Sequence, residues 1–585
     1  MISSTVQRLC IAASAFIALG AAAQQRATEI TRTPELATGY VEKKVVTASK
    51  YMVVAANPLA VEAGLKILKD GGSAVDAAIA VQMVLNLVEA QASGIGGGAF
   101  MLHFDAKKNV LSAYDGREQA PMGATPELFI GKDGKPMRFS DAVIGGRSVG
   151  VPGVLRMLEL AHARHGKLPW ANLFAPAIAL AENGFALPPR MQLQLAQDTA
   201  LARDTRARAY FYLPDGAPKP VGAMLKNPAF AATLRRIAKE GPDAFYQGEI
   251  ARDMVAAVRS HATNPGSLSE QDLRDYRART LAPVCGKYRV FKVCGMPPPS
   301  SGGIAILQIL ASLERFDMKE VRPNSTEAVH LLSEAGRLAY ADRDRYAADD
   351  RFTAVPVAGL LAPAYNRQRS ELIQPEKSMG RAVAGSPPGS LVAMADGETL
   401  EFPSTSQLSI VDHDGNAISM TSSIETRFGS HIFVHGFLLN NQLTDFSMLP
   451  IVDGRPVANA VYPGKRPRSA MAPTMVFDEH DKLTMVVGSA GGSVIINYIA
   501  KILVATLDWG LDIQSAISLP NVGSRNGPTE IEKGTAVENL IGALKSIGHE
   551  VRTIDLNSGS HGIMRTSQGW QGGADPRREG IAKGN

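Results

Sequence analysis

Pro403-Ser404-Thr405-Ser406-Gln407-Leu408-Ser409-Ile410-Val411-Asp412-His413-Asp414-Gly415-Asn416, continuing into Ala417-Ile418-Ser419-Met420, decides how this chain is read. Leu408–Val411 and Ala417–Met420 flank Asp414-Gly415, a strong two-residue turn signal, so the stretch predicts a β-hairpin. Antiparallel pairing about Asp414 places Thr405 opposite Ser423, within one position, with Glu425 just beyond. A hydroxyl nucleophile at the start of a strand would then face a second hydroxyl. On the residues alone, Thr405 is one strand threonine among many.

Upstream, residues 380–403 are rich in Gly, Pro and Ser and predict an exposed loop leading to Ser404. Downstream, Thr474–Phe477 and Leu483–Val487 read as a strand pair. Gly488-Ser489-Ala490-Gly491-Gly492-Ser493 then leads into a helix from Val494 to about Trp509. Such a loop lets backbone N–H groups point into a site, and the helix start behind it favours negative charge. It reads as an oxyanion hole, a phosphate loop or a plain turn.

The first part of the chain is more helical. Asn57-Pro58 opens a helix with Leu59, Val61, Leu65 and Leu68 on one face, stopped by Gly71-Gly72; Val75–Ala90 forms the next. Phe100–Phe104 and Val110–Tyr114 read as a hairpin, and Ile304–Arg315 and Thr326–Tyr346 as helices. Gly94-Ile95-Gly96-Gly97-Gly98-Ala99 satisfies the dinucleotide-binding spacing. That motif needs a strand before it and a helix after it, and here the order is reversed.

With 585 residues, 45% hydrophobic and 20% charged, the chain can bury a large core. A net charge of +5 is small for this length and gives no reason to expect nucleic acid; Lys465-Arg466-Pro467-Arg468 reads as a solvated or structural loop. Arg8, the apolar run Leu9–Leu19 and Ala21-Ala22-Ala23 before Gln24 read as a secretory signal over residues 1–23. The expected location is periplasmic or secreted, with no stable membrane span after signal removal. Of three cysteines, Cys10 lies in the signal. Cys285 and Cys294 would face each other in a hairpin turning at Arg289-Val290 and stand far apart in one continuous strand. The unfavoured turn residues and the geometry of cross-strand cysteines weigh against a bridge. No Cys/His cluster has metal-ligand spacing, so no metal is expected.

Together with Phe437-Leu438-Leu439-Asn440-Asn441-Gln442-Leu443-Thr444-Asp445-Phe446-Ser447, the opening stretch resembles the small subunit of the γ-glutamyltranspeptidases. The likeness runs in order through Asp76-Ala77-Ala78, the Gly94 run, Val151-Pro152-Gly153, Met296–Gly303, Gly488–Gly492 and Ala574-Asp575-Pro576-Arg577. It implies an α+β, N-terminal-nucleophile hydrolase fold, an αββα sandwich built by two chains after self-cleavage at Ser404–Thr405. The large subunit would span residues 24–404 and the small one 405–585. It implies Thr405 as nucleophile, Ser423 orienting it, and Gly491 and Gly492 as oxyanion donors. Arg117 would bind the α-carboxylate of a γ-glutamyl donor, with Ser469, and Asp445 its α-ammonium; Glu425, Gln442 and Ala470 complete the donor pocket. Partners would be small γ-glutamyl donors, such as glutathione, and amino-acid or peptide acceptors; no cofactor is implied. Ala470 stands where a second carboxylate-binding serine is usual, Glu425 where asparagine is common, Gln407 for a frequent histidine and Thr444 for an aspartate. The loop from Ser447 to Ala458 lacks the tyrosine that forms a lid in some members. These departures keep open an acylase of the same fold acting on glutaryl or other side-chain amides, and an inert binding homologue.

Overall fold

The computed structural model describes residues 37–585 apart from 391–393, 398, 400 and 403; the expected signal segment lies outside the described residues. The hairpin forms as its sequence dictates. Ser406–Val411 pairs with Ala417–Ser423, with Ser406 opposite Ser422 and Val411 opposite Ala417. Gly415 supplies the left-handed turn residue at φ 80°. The Asp412 carboxylate holds the turn by accepting the N–H groups of Asp414 and Asn416 at 2.9 and 3.0 Å.

This hairpin is the middle of a seven-stranded antiparallel sheet. Its order is Ile581–Gly584, Met52–Ala55, Ser406–Val411, Ala417–Ser423, Gly98–Asp105, Val110–Gly116 and Arg279–Leu281. A second seven-stranded sheet runs Val46–Ala48, Gly569–Ala574, His561–Thr566, Leu483–Gly488, Thr474–Phe477, Phe291–Gly295 and Val284–Tyr288. Strand residues alternate between faces. Leu408 and Ile410 therefore join the core under the helices Pro58–Lys69 and Ala74–Val88. Gln407, Ser409 and Ser419 turn to the other sheet, where Ser409 Oγ donates to the His561 carbonyl and Ser419 Oγ to that of Val487, at 3.0 and 2.9 Å. The helices Gly302–Leu313, Thr326–Tyr346 and Ile495–Leu507 cover the second sheet. Helix, sheet, sheet and helix give the expected αββα sandwich. Both hairpin strands are buried on both faces, which fixes where Thr405 points.

Local signals explain the helix starts. Asn57 caps its helix by accepting the Leu59 N–H at 3.0 Å, and Ser73 and Asp76 form a reciprocal capping box. Leu59 departs from the expected apolar face and is exposed, whereas Val61, Leu65 and Leu68 are buried. Asp76 and Asn86 within the second helix and Glu89 at its C-terminal cap are buried, each tied to a partner: Asp76 to the Lys167 N–H, Asn86 to that of Ile95, and Glu89 to Arg190.

Two expectations are corrected. Cys285 and Cys294 stand opposite each other in the Val284–Tyr288/Phe291–Gly295 hairpin and are joined by a disulfide. The unfavoured turn residue Arg289 sits at φ 55°, held by Asp508 and by the Phe316 carbonyl; tertiary contacts replace the missing turn propensity. The loop before Thr405 is not exposed at its end. Glu401, Ser404 and Thr405 are buried, because the chain enters the sandwich before the strand begins.

Candidate active site

Pairing continues one step beyond Ser406–Ser422, so Thr405 meets Ser423: their hydroxyl oxygens are 3.4 Å apart. Both hydroxyls lie against the carbonyl of Ser404. Thr405 Oγ1 makes a short contact with that oxygen, and Ser423 Oγ donates to it at 3.2 Å. The Glu425 N–H fixes Ser423 by donating to its Oγ at 2.9 Å. Ser404 Oγ donates to the Gln91 carbonyl at 3.0 Å, and Arg578 Nη1 to the Thr405 carbonyl at 3.2 Å. Both sides of the Ser404–Thr405 peptide are thus clamped in a buried corner. The Gly94 run packs against this corner. A Cβ on Gly97 would come within 2.1 Å of the Ser423 carbonyl, so these glycines serve close backbone approach.

The Gly488–Ser493 loop lies at the end of the Leu483–Gly488 strand, which pairs within the second sheet. Gly491 and Gly492 have φ of 135° and 60°, and a 3-10 turn from Gly492 leads into the Ile495–Leu507 helix. The loop touches the residues just before Thr405. A Cβ on Gly492 would come within 2.5 Å of the Phe402 carbonyl, and Ser493 N–H donates to the Glu401 carbonyl at 3.4 Å. In the intact chain the segment before Thr405 therefore covers the glycine loop.

Beside it lies a buried charged pocket. Arg117 is fully buried; its Nη2 forms an ion pair with Asp445 and donates to the Arg468 carbonyl at 2.8 Å, and its Nε reaches the Pro467 carbonyl at 3.2 Å. The Gln442 amide bridges two carboxylates, donating to Asp445 Oδ2 at 2.8 Å and to Glu425 Oε2 at 3.0 Å. Glu425 Oε1 accepts the Phe402 N–H at 3.1 Å. Asp445 Oδ1, Gln442 Oε1 and Glu118 Oε1 are buried with no hydrogen-bond partner in the protein. A pocket with spare acceptors and one committed guanidinium suits an ammonium-bearing ligand. Burial pushes the Glu425 carboxyl well up, helped by the charge of Asp445. Burial also raises Asp445, opposed by Arg117, and lifts Glu118 to about 8.

The structure thus brings together Thr405, Ser423, Glu425, Gln442 and Asp445, and sets Arg117 on Asp445. Ser469 is buried, with its Oγ accepting the Met471 N–H at 3.1 Å, and Ala470 is buried beside it. Sequence reasoning missed Glu401, Arg343 and Arg468. Lys465, Arg466 and Arg468, read as a solvated or structural loop, are all buried: Arg466 pairs with Asp115, and Lys465 Nζ donates to the Ala458 carbonyl at 2.6 Å. Their place immediately before Ser469 was the available signal.

Among the described residues one buried group has the composition of a metal site, His330, Glu334 and His549, with ligand atoms within 4.8 Å of one another. Its hydrogen bonds are complete. His330 Nε2 must donate to the Gln374 carbonyl (2.8 Å), so its Nδ1 accepts from His549 Nε2 (2.7 Å), and His549 Nδ1 accepts the Thr529 hydroxyl (2.7 Å). Glu334 takes Arg337, Ser378 and the Met379 N–H. The trio reads as a structural polar chain.

Among the described residues no helix is long and apolar enough to cross a membrane. Residues 60–585 match the γ-glutamyltranspeptidase family. The chain is 35% identical to the glutathione hydrolase proenzyme of Bacillus subtilis (strain 168), over 98% of each chain. It is also 35% identical to the acylase ACY 1 proenzyme of Pseudomonas sp. (strain SE83), over 92% of this chain and 94% of that one. A solved cephalosporin acylase from Bacillus halodurans superposes with a TM-score of 0.80 at 28% identity, covering 93% of this chain and 97% of its own. The sandwich, the threonine at the head of its central hairpin and matches of this extent together place the chain in the γ-glutamyltranspeptidase family of N-terminal-nucleophile enzymes.

Proposed function

We propose that the chain is an exported precursor that cuts itself before Thr405 and then acts as a γ-glutamyltransferase and glutathione hydrolase. The observation that carries this reading is the buried Ser404–Thr405 peptide, with the Thr405 and Ser423 hydroxyls both on the Ser404 carbonyl. In maturation, Thr405 Oγ1 attacks the Ser404 carbonyl carbon and Ser423 donates to the carbonyl oxygen as it gains charge. The C–N bond breaks, giving an ester on Thr405 and a free Thr405 amine. Water then hydrolyses the ester, leaving Ser404 with a carboxylate. Residues 24–404 and 405–585 become the two subunits of one enzyme.

In turnover the free amine accepts the Thr405 hydroxyl proton as Oγ1 attacks a γ-amide carbonyl. Gly491 and Gly492 donate to the oxyanion once the 401–404 tail has left the glycine loop. The amine returns the proton to the leaving nitrogen. Water, an amino acid or a peptide then takes the acyl group from Thr405. Asp445 and Glu425 receive the donor's α-ammonium through their acceptor oxygens. Arg117 and Ser469 receive the α-carboxylate. The relatives named glutathione hydrolase proenzymes support this substrate class.

Ala470 favours a second reading, an acylase for glutaryl-type amides, consistent with the acylase relatives. One experiment separates the readings. Purified protein should resolve into fragments of roughly 40 and 20 kDa from the 62.1 kDa chain. Thr405→Ala should stay whole and inactive. The mature protein should hydrolyse γ-glutamyl-4-nitroanilide faster than glutaryl-4-nitroanilide. An uncut, inactive wild type overturns self-processing, and a preference for the glutaryl compound supports the acylase.

A further inference from the structure

The tail before Thr405 ends on a built carboxylate site. Glu401, 7% exposed, forms an ion pair with Arg343 Nη2, and Arg468 Nε lies 3.7 Å from the same Oε1. Both arginines are buried. Arg343 is oriented by the Ser301 hydroxyl (2.9 Å) and by Asp344 (2.9 Å). Arg468 touches Asp344 at 3.3 Å, and its Nη1 donates to the Arg343 carbonyl at 3.1 Å. Arg468 Nε is buried with no hydrogen-bond partner. Two guanidiniums thus share Glu401 and one partly exposed aspartate.

The path of the tail links this site to the pocket. The nitrogen hydrogen-bonded to Glu425 is the amide of Phe402, and the group acylating that nitrogen is Glu401. The intact chain therefore shows an amide N–H at Glu425 with a carboxylate beyond it, held by Arg343 and Arg468. When the tail withdraws, the two arginines lose the Glu401 carboxylate, and removing a counter-charge from buried cations is costly. Just upstream, Ala395 bridges to Val457 and Asp396 pairs with Arg345, so the chain stays anchored there while the end is free to leave.

We propose that Arg343 and Arg468 form a second carboxylate subsite on the acyl side of the mature enzyme. It takes donors whose α-nitrogen carries an acidic acyl group with the reach of a glutamyl side chain. This rests on cleavage before Thr405, because the uncut tail fills the site.

The test compares two donors of equal length, N-α-glutaryl- and N-α-pentanoyl-γ-glutamyl-4-nitroanilide, on fully cleaved protein. Both lose the free α-ammonium, so only the distal carboxylate differs. Wild type should favour the glutaryl donor about tenfold or more in kcat/KM, as expected for a charge-assisted bond. Arg468→Gln should bring the ratio close to one, and Arg468→Lys should keep part of it. Equal rates on the two donors in wild type overturn the proposal, and that comparison needs no variant to fold. A ratio unchanged in cleaved Arg468→Gln also overturns it. Failure of the underlying reading is distinct: the protein would remain one chain, or would leave γ-glutamyl-4-nitroanilide itself unhydrolysed.

Discussion

Two buried polar clusters join the segments before and after Thr405, and they differ in one respect. In the His330–His549 chain every ring nitrogen has a partner, and the Glu334 carboxylate is satisfied from three sides. In the Arg117–Asp445–Gln442–Glu425 pocket, Asp445 Oδ1 and Gln442 Oε1 have none, and the carboxyls are pushed upward by burial. Composition does not separate them, since both combine buried ions from distant positions. Saturation does. A closed network contributes to stability, whereas a buried network with spare acceptors costs energy until something binds. The metal-like trio therefore reads as structure and the open pocket as the candidate site.

The sharpest test of that contrast is Arg117→Ala. It removes the cation from the open pocket and should lower kcat/KM for γ-glutamyl-4-nitroanilide by about 1.5–3 kcal/mol, roughly 10- to 150-fold. Cleavage should persist, because no substrate carboxylate takes part in it. Unchanged kinetics in a cleaved variant would remove Arg117 from donor binding.

His549→Ala probes the closed cluster. It leaves His330 Nδ1 without its donor and the Thr529 hydroxyl proton without its acceptor, a cost of about 1–3 kcal/mol in stability. The thermal midpoint at fixed scan rate should fall while the donor KM stays constant; a changed KM with an unchanged midpoint would reverse the assignment of the two clusters. The pH dependence has a defined sign. Burial holds the His549 imidazole down at about 4, below its ordinary value near 6.5. Between those values the unfolded chain binds the extra proton, so stability falls as pH drops from about 6.5 towards 4. His549→Ala should flatten part of that slope.

Ala470→Ser is the smallest change. A restored hydroxyl beside Ser469 can donate to an α-carboxylate, which a glutaryl donor lacks. The γ-glutamyl preference over glutaryl should rise by about 1.5 kcal/mol, roughly tenfold in the kcat/KM ratio. A ratio that stays put or moves the other way in a cleaved variant would take position 470 out of the pocket.

Legibility followed contact range. The helix Thr326–Tyr346 and the strand Thr474–Phe477 have the limits their sequence predicts, because periodicity and capping act within a few residues. The Cys285–Cys294 bridge was not legible, because Arg289 holds its turn through contacts with Asp508 and Phe316. Glu401 was read as part of an exposed loop for the same reason: nothing nearby in sequence announces Arg343 or Arg468.

By itself, the sequence determined the central hairpin, with Thr405 opposite Ser423. Strand alternation and the Asp414-Gly415 turn set that register locally, and a slip of one residue would turn every buried side chain to the wrong face. Only the tertiary structure decided which charges share the pocket. Arg117 and Asp445 lie 328 positions apart, and Arg343 meets Glu401 across 58. Such pairs form only where the sandwich excludes water, because there an unpaired charge is too costly to leave alone.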